Sequence, residues 1–322
     1  IETTQLSGYE DAGLFNIFDA GSIPYVDVPY GYNNQEIAQQ WGLYAQTRLS
    51  ITDPLTVILG GRESWYEAKN RSILPTDGEW SEDPAVHGKF TPYVGVVYDL
   101  TKQYSVYASY ADIFTPQTNL TASGGGVAPR VGNQYEVGVK GDFFDGALSA
   151  TLAAFDIHDK NRAITDPDNP LFYIAAGSAR SRGIEFTLSG EITSNWNVMA
   201  GYTYLETKYL DDPDNAGDVL DPEEPRHSFK LWNKYTFDTG ALRNVSLGAG
   251  ARIISSTQRG VISQGGHAVF DAQIGYKIND HAQVTITANN LFDRVYFDRI
   301  PTQYFGLYGE PRSIMADLKV KW

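Results

Sequence analysis

The sequence predicts an all-β chain, a transmembrane antiparallel up-and-down β-barrel of which about 13 strands lie in these residues. Three observations carry that expectation. Segments of about ten residues alternate apolar and polar side chains, the length a tilted strand needs to cross a bilayer. The connections between them are short and long by turns, as in barrels with short periplasmic turns and longer extracellular loops. The composition is rich in glycine (31) and tyrosine (21), lacks cysteine and carries a formal charge of −14.

Residues 1–34 read as an extracellular loop segment, because Gly21, Pro24, Pro29 and Gly31 break any period. Alternating segments then follow at 35–50, 55–69, 89–100, 103–115, 132–142, 147–158, 180–190, 195–207, 226–238, 245–257, 266–276, 282–296 and 311–322. Ile184, Phe186 and Leu188 alternate with Glu185, Thr187 and Ser189. Val245, Leu247, Ala249, Ala251 and Ile253 alternate with Ser246, Gly248, Gly250 and Arg252. In the final segment Ile314, Ala316, Leu318, Val320 and Trp322 share one face, with Met315, Asp317, Lys319 and Lys321 on the other. An exposed strand edge has to be paired or blunted, and closing a barrel does this.

Short connections fall at Thr52–Pro54, Thr101–Lys102, Phe143–Gly146, Ile192–Asn195, Asp238–Asn244 and Asn279–His281. Long ones fall at 70–88, 116–131, 159–179, 208–225, 258–265 and 297–310. A Greek-key sandwich has no reason to sort its loops in this way. Thirteen is an odd number, whereas single-chain bacterial barrels have an even one. The segment 35–322 is therefore expected to be the C-terminal part of a larger barrel in the cell outer membrane of a Gram-negative bacterium.

No run of 18 apolar residues predicts a transmembrane helix, and IETTQLSGYE is not a signal peptide. A mean hydropathy of −0.32 agrees with a barrel, where hydrophobicity hides in alternation. The acidic balance argues against a nucleic-acid partner. Enzyme signatures are missing: there is no GxSxG, no P-loop, no GxGxxG opening a helix and no cysteine nucleophile. Gly124–Gly126 reads as a flexible outer loop.

Six stretches, in order, resemble the TonB-dependent ferric-siderophore receptors of the outer membrane. They are YEVGVKGDFFDGALSATLAAFDIHDKNR (135–162), ARSRGIEFTLSGEI (179–192), WNVMAGYTYLETKY (196–209), PRHSFKLWNKYTF (225–237), NNLFDRVYF (289–297) and YGEPRSIMADLKVKW (308–322). The resemblance covers nearly all of 35–322 and is nearest to receptors for hydroxamate and mixed-type siderophores. It implies a 22-stranded barrel plugged by an N-terminal domain, the first strand here being the tenth. The plug and the TonB box are not in these 322 residues. It implies a ferric siderophore as transported ligand, no cofactor of its own, and TonB with ExbB and ExbD as energy-coupling partners. Outer-membrane lipid and lipopolysaccharide surround such a barrel, which is expected to be a monomer. Haem, cobalamin or another scarce ligand, and a passive porin, are the alternative readings.

Ligand-binding candidates lie near the long-loop ends of strands. Tyr66 is expected on the lumen side with Arg62 and Ser64, and Trp65 in the aromatic girdle. Trp80, Phe114, Gln117, Tyr173, Tyr209, Tyr304 and Tyr308 lie in or beside the long loops and could cage an apolar-rimmed chelate. Barrels carry interfacial Tyr and Trp in any case. Arg259, with Arg252 and Arg130, suits an anionic chelate through its planar fork; Asp271 and Gln273 are candidate wall partners for Arg252. Trp232 should point inward with Ser228, Lys230 and Lys234, deep enough to pack a plug. The 208–225 loop holds seven carboxylates, but they lack the register of a calcium loop and read as a solvated outer loop. The five histidines are scattered, and no protein metal site is expected.

Overall fold

The computed structural model describes residues 2–7 and 30–321. Fourteen strands follow one another in a single antiparallel sheet, each paired with its neighbour in sequence. They are β1 Glu2–Ser7, β2 Tyr32–Thr52, β3 Leu55–Leu74, β4 Val86–Asp99, β5 Tyr104–Thr115 and β6 Arg130–Phe143. β7 Leu148–Thr165, β8 Tyr173–Thr193, β9 Trp196–Asp211 and β10 His227–Thr236 continue the sheet. β11 Val245–Ile254, β12 His267–Lys277, β13 Ala282–Asn289 and β14 Ser313–Val320 complete it. Among the described residues β1 and β14 are not paired with each other and form the two edges of the sheet.

The thirteen expected segments correspond one to one with β2–β14. β1 was not expected: Glu2–Ser7 pairs with β2 from Glu2↔Ile37 to Ser7↔Tyr32, inside a stretch read as loop. The sequence ETTQLS lacks the apolar alternation that marked the others. The segment adds one short strand to the thirteen expected, all of which are present. The rest of the expected N-terminal loop, residues 8–29, and the terminal aromatic Trp322 lie outside the described residues.

The registers sort the two faces. Ile184, Phe186 and Leu188 pair with Ala154, Leu152 and Ala150 on one side and Tyr204, Tyr202 and Ala200 on the other. The apolar row continues through Phe229 and Leu231 to Ile253 and Ala251, then to Ala268 and Phe270. This is the lipid face. Trp41 and Trp65 meet on it as a parallel stack with centroids 3.8 Å apart, as the girdle assignment of Trp65 requires. Such a pair adds about 0.5–1.5 kcal/mol beyond its burial.

The other face is polar. Tyr107 donates to Glu136 at 2.6 Å, and Tyr93 to Gln46 at 2.6 Å. Trp232 lies on this face, as expected, spread over Gly248 and Gly250 of β11.

Several strands outrun the alternation that betrayed them. β7 and β8 stay paired up to Thr165↔Tyr173, so the expected 159–179 loop shrinks to 166–172. Above the membrane no lipid demands an apolar side, so the period lapses while the backbone ladder goes on. Conversely, the expected 282–296 segment stops at Asn289. Asn290 turns with φ +48°, and the chain leaves the sheet.

That departure builds a compact core. The 290–312 segment folds back over the polar side of β12, where Val269 (2% exposed), Tyr296 and Ile300 are buried together. His267 lies beneath, its ring 4.7 Å from that of Tyr296.

Candidate functional site

The long-loop ends of β6–β12 form a polar, concave rim on the lumen side. Of the clefts that open there, two lie on either side of the 212–226 loop.

The first, of about 350 Å³, lies over β6–β8 and is lined by Arg130, Ile157, Asp159, Arg162, Ala179 and Asp221. Its centre is one carboxylate shared by two guanidiniums: Arg130 Nε is 3.3 Å and Arg162 Nη1 2.7 Å from Asp159. Asp159 alone does not neutralise both guanidiniums; Asp221, which lines the same cleft, supplies the second carboxylate. Tyr209, on the lumen face of β9 opposite Ala179, lies with its ring 5.9 Å from Arg162. Asp221 descends from the loop, its N–H donating to Thr207 Oγ1 at 3.2 Å. Burial, followed by the charge of Glu223, pushes the Asp221 carboxyl above its ordinary value, against Arg162, Arg259 and Arg130.

The second cleft, of about 460 Å³, spans β9–β11 and the 290–312 segment. Lys230, Arg252, Arg259 and Arg299 line it, with Glu223, Glu224, Asp298 and Phe297. Arg252 donates to the Tyr296 hydroxyl at 3.1 Å. Arg259 sits on a hairpin, Thr257–Arg259 with Ile262–Gln264, and donates to Glu223 at 2.9 Å. Among the described residues, neither Lys230 nor Arg299 is in an ion pair, so their charge is available to a ligand.

The expected site residues divide between rim and elsewhere. Tyr209 and Arg259 belong to it. Tyr66 faces the lumen opposite Gln40, but three strands from the nearest strand of the first cleft, β6. Tyr304 is 77% exposed at the tip of the 290–312 segment, and Tyr308 packs its ring 4.7 Å from Phe297 at the edge of the second cleft. Tyr173 stands at the top of β8, its N–H bound to Leu120 O.

Three candidates are turned away from the lumen or consumed. Phe114 has the parity of Val106 and Tyr110 and opposes Val131, on the lipid side. Trp80 lies under Lys69 and Arg71, 4.8 and 4.9 Å from the cations, on the side of β3 that carries Trp65. Its position in a loop concealed that face. Gln117 spends its amide within the fold, donating to Ala128 O and Asn161 O and accepting from Ala163 N–H. The wall partners expected for Arg252 differ also. Asp271 accepts the Asn290 N–H, and Gln273 donates to Thr287.

In the acidic loop Asp212 accepts from the Asp214 and Asn215 N–H groups, a local turn. Among the described residues no group of three His, Asp or Glu side chains converges as a metal site would.

Sequence reasoning missed Asp159 and Arg162, hidden in what read as a loop, and Tyr296, read as the end of a strand. Lys230 was legible as inward from its parity with Trp232.

Comparison with known proteins adds a family. The model of the TonB dependent receptor-like β-barrel matches residues 3–291. The ferric-pyoverdine M114 receptor PbuA of Pseudomonas sp. (strain M114) is 38% identical over 87% of this chain and 36% of its own length. The ferrichrome outer membrane transporter/phage receptor of Escherichia coli (strain K12) is 30% identical over 96% of this chain and 42% of its own. The crystal structure of the ferripyoverdine receptor of Pseudomonas aeruginosa bound to ferripyoverdine matches with a TM-score of 0.77 and 32% identity. It covers 94% of this chain and 41% of that one. The chain thus spans between about a third and a half of the length of the relatives it matches.

Proposed function

This chain belongs to the TonB-dependent receptor β-barrel family, and from that premise we propose that it supplies the C-terminal barrel strands of a ferric-siderophore importer. It is an outer-membrane β-barrel protein of a Gram-negative bacterium and not an enzyme. In our reading the whole receptor captures a ferric siderophore at its extracellular face, and TonB with ExbB and ExbD supplies the import energy.

The observation that carries the ligand class is the second cleft. Four cationic side chains, Lys230, Arg252, Arg259 and Arg299, line it with Phe297 and three carboxylates, Glu223, Glu224 and Asp298, so the cations are in excess by one. A ferric chelate is bound through deprotonated oxygens and presents both charge and apolar rim. Guanidinium forks and the Phe297 ring together suit it. Relatives named for ferric pyoverdine and for ferrichrome support the same class. The hydroxamate or mixed type is our finer proposal, resting on the resemblance of the strand sequences.

The test is intrinsic-fluorescence quenching of the full-length receptor with a panel of ferric siderophores and haem. Saturable quenching by one ferric siderophore, weakened by Arg259→Ala and by Arg299→Ala, is the expected result. Tight binding of haem or cobalamin alone would keep the family and overturn the ligand. Free ion conduction in a bilayer without binding would favour a porin.

A further inference from the structure

The 212–226 loop carries its carboxylates in among the cations of both clefts. Asp221 enters the first, beside Arg130 and Arg162, while Glu223 and Glu224 enter the second. Among the described residues, three polar bonds seat this stretch. The Asp221 N–H donates to Thr207 Oγ1 at 3.2 Å, and the Gln258 N–H donates to Pro222 O at 2.9 Å. Arg259 holds Glu223 at 2.9 Å. Two of the three thus tie it to the small hairpin at Thr257–Arg259 rather than to the barrel wall.

The sequence explains why the hold is light. Pro222 and Pro225 have no N–H, so residues 221–225 cannot extend the ladder of β9 as a further strand. The Arg259–Glu223 pair is partly open to water. Burial, followed by the charge of Glu223, raises the Asp221 carboxyl, so its ionised form is disfavoured in the seat. The base of the loop is fixed separately. The Gly217 N–H donates to Tyr209 O at 2.9 Å, and the Tyr209 N–H to Asp218 O at 3.0 Å. Residues 221–225 can therefore leave without unravelling β9.

Their departure changes the charge of the site. With the stretch seated, four cations of the second cleft face Glu223, Glu224 and Asp298. With it gone they face Asp298 alone, and the excess rises from one to three. In the first cleft Arg130 and Arg162 are then left with Asp159. The two clefts are coupled, because the Glu224 N–H donates to Asp221 O at 3.1 Å and closes the stretch into one turn.

We propose that residues 221–225 are an internal competitor, held where acidic groups of the ligand bind, and that the receptor thereby selects ferric chelates bearing free carboxylates. Two such groups replace Glu223 and Glu224 charge for charge. A chelate without them has nothing to exchange and meets cations that are already largely neutralised. This rests on the ferric-chelate reading of the second cleft; it adds the charge the chelate carries and the contact it breaks.

The experiment titrates the full-length receptor with two probes, a ferric trihydroxamate bearing two free carboxylates and its dimethyl ester. Amide exchange is followed with each. Wild type is expected to bind the diacid about tenfold more tightly than the diester. The diacid should strip protection from the Asp221 and Gln258 amides and spare that of Gly217. The double variant Glu223→Gln, Glu224→Gln should bind the diacid about fivefold or more tightly than wild type. Equal binding of the two probes by wild type overturns the proposal and needs no variant. Diacid binding that leaves the Asp221 and Gln258 amides protected also overturns it, since the stretch then stays seated. Weaker diacid binding by the double variant would make the carboxylates a part of the grip instead of a competitor. Binding of haem but of neither chelate would refute the reading of the cleft itself.

Discussion

The backbone N–H of Asn290 donates to the Asp271 carboxylate at 2.8 Å, tying the point where the chain leaves β13 to the middle of β12. The Asn290 side chain is 3% exposed and fully used. Its Nδ2 donates to Arg294 O at 2.9 Å and Glu310 O at 3.0 Å, while Oδ1 accepts the Arg294 N–H at 2.8 Å. This hub holds the 290–312 segment over Val269 and so places Tyr296, Phe297 and Arg299 beside the second cleft. Asn290→Ala leaves buried groups unpaired and should cost about 2–4 kcal/mol. Asn290→Asp, which puts a carboxylate against two carbonyl oxygens, should cost at least as much. Urea unfolding of the full-length receptor measures both. An unchanged midpoint for each would mean the segment is held by other contacts.

Trp232 packs flat on β11 only because two glycines lie beneath it. A Cβ at Gly250 would sit 2.6 Å from Trp232 Cε3, and one at Gly248 2.8 Å from Cζ2. Gly250→Ala should therefore lift the indole and destabilise by about 1–3 kcal/mol. Its emission maximum should shift to the red. Adding Trp232→Ala to Gly250→Ala should restore most of the loss, and a double variant no better than the single would refute the steric account.

How much of this was legible follows from what each signal reports. Alternation is imposed by lipid, so it marked β2–β14 at membrane height and placed Trp65 and Trp232 on opposite faces. It said nothing of Glu2–Ser7 or of the tops of β7 and β8, where polar residues pair as well as apolar ones. The rim's Asp159 and Arg162 lie in those tops. Phe114 was misjudged because its proximity to a loop outweighed its parity with Tyr110. Nothing in a sequence period tells that Trp80 turns to the outer side, since a loop has no period.

That outward position of Trp80 makes a sharp test. Trp80→Ala should leave ferric-siderophore affinity within about twofold while loosening the 75–85 loop by removing two cation–π contacts, each about 0.5–1 kcal/mol at an exposed site. Limited proteolysis reads the loosening, and a titration reads the affinity. A tenfold loss of affinity would put Trp80 back in the cup.

Arg259 and Glu223 close the second cleft by a pair that is only partly shielded, with side chains 43% and 27% exposed. Pairs of this kind contribute about 0.2–1 kcal/mol, so an anionic ligand can displace the carboxylate at little cost. Arg259→Ala should weaken ferric-siderophore binding about five- to tenfold. Glu223→Gln should strengthen it, because the guanidinium then has no competitor. Opposite signs in isothermal titration are the expected outcome; equal losses would show that the pair acts only as a brace.

Asp221 makes the seating of the 212–226 loop depend on pH. Its carboxyl is raised above the ordinary 3.8 by burial and then by Glu223. A raised acid favours the seated loop in its protonated form, so this contribution is full below the ordinary value. It is lost as pH rises through the raised one. Acidification from neutrality should therefore tighten the loop, and Asp221→Asn should hold it tight at neutral pH. The Asp221 N–H, which donates to Thr207 Oγ1, gives a local readout as an exchange protection factor corrected for intrinsic rate. Protection should rise on acidification in the wild type and stay level in the variant. Protection that falls on acidification in both would mean that the attraction of Arg162, Arg259 and Arg130 for the ionised carboxylate outweighs its burial.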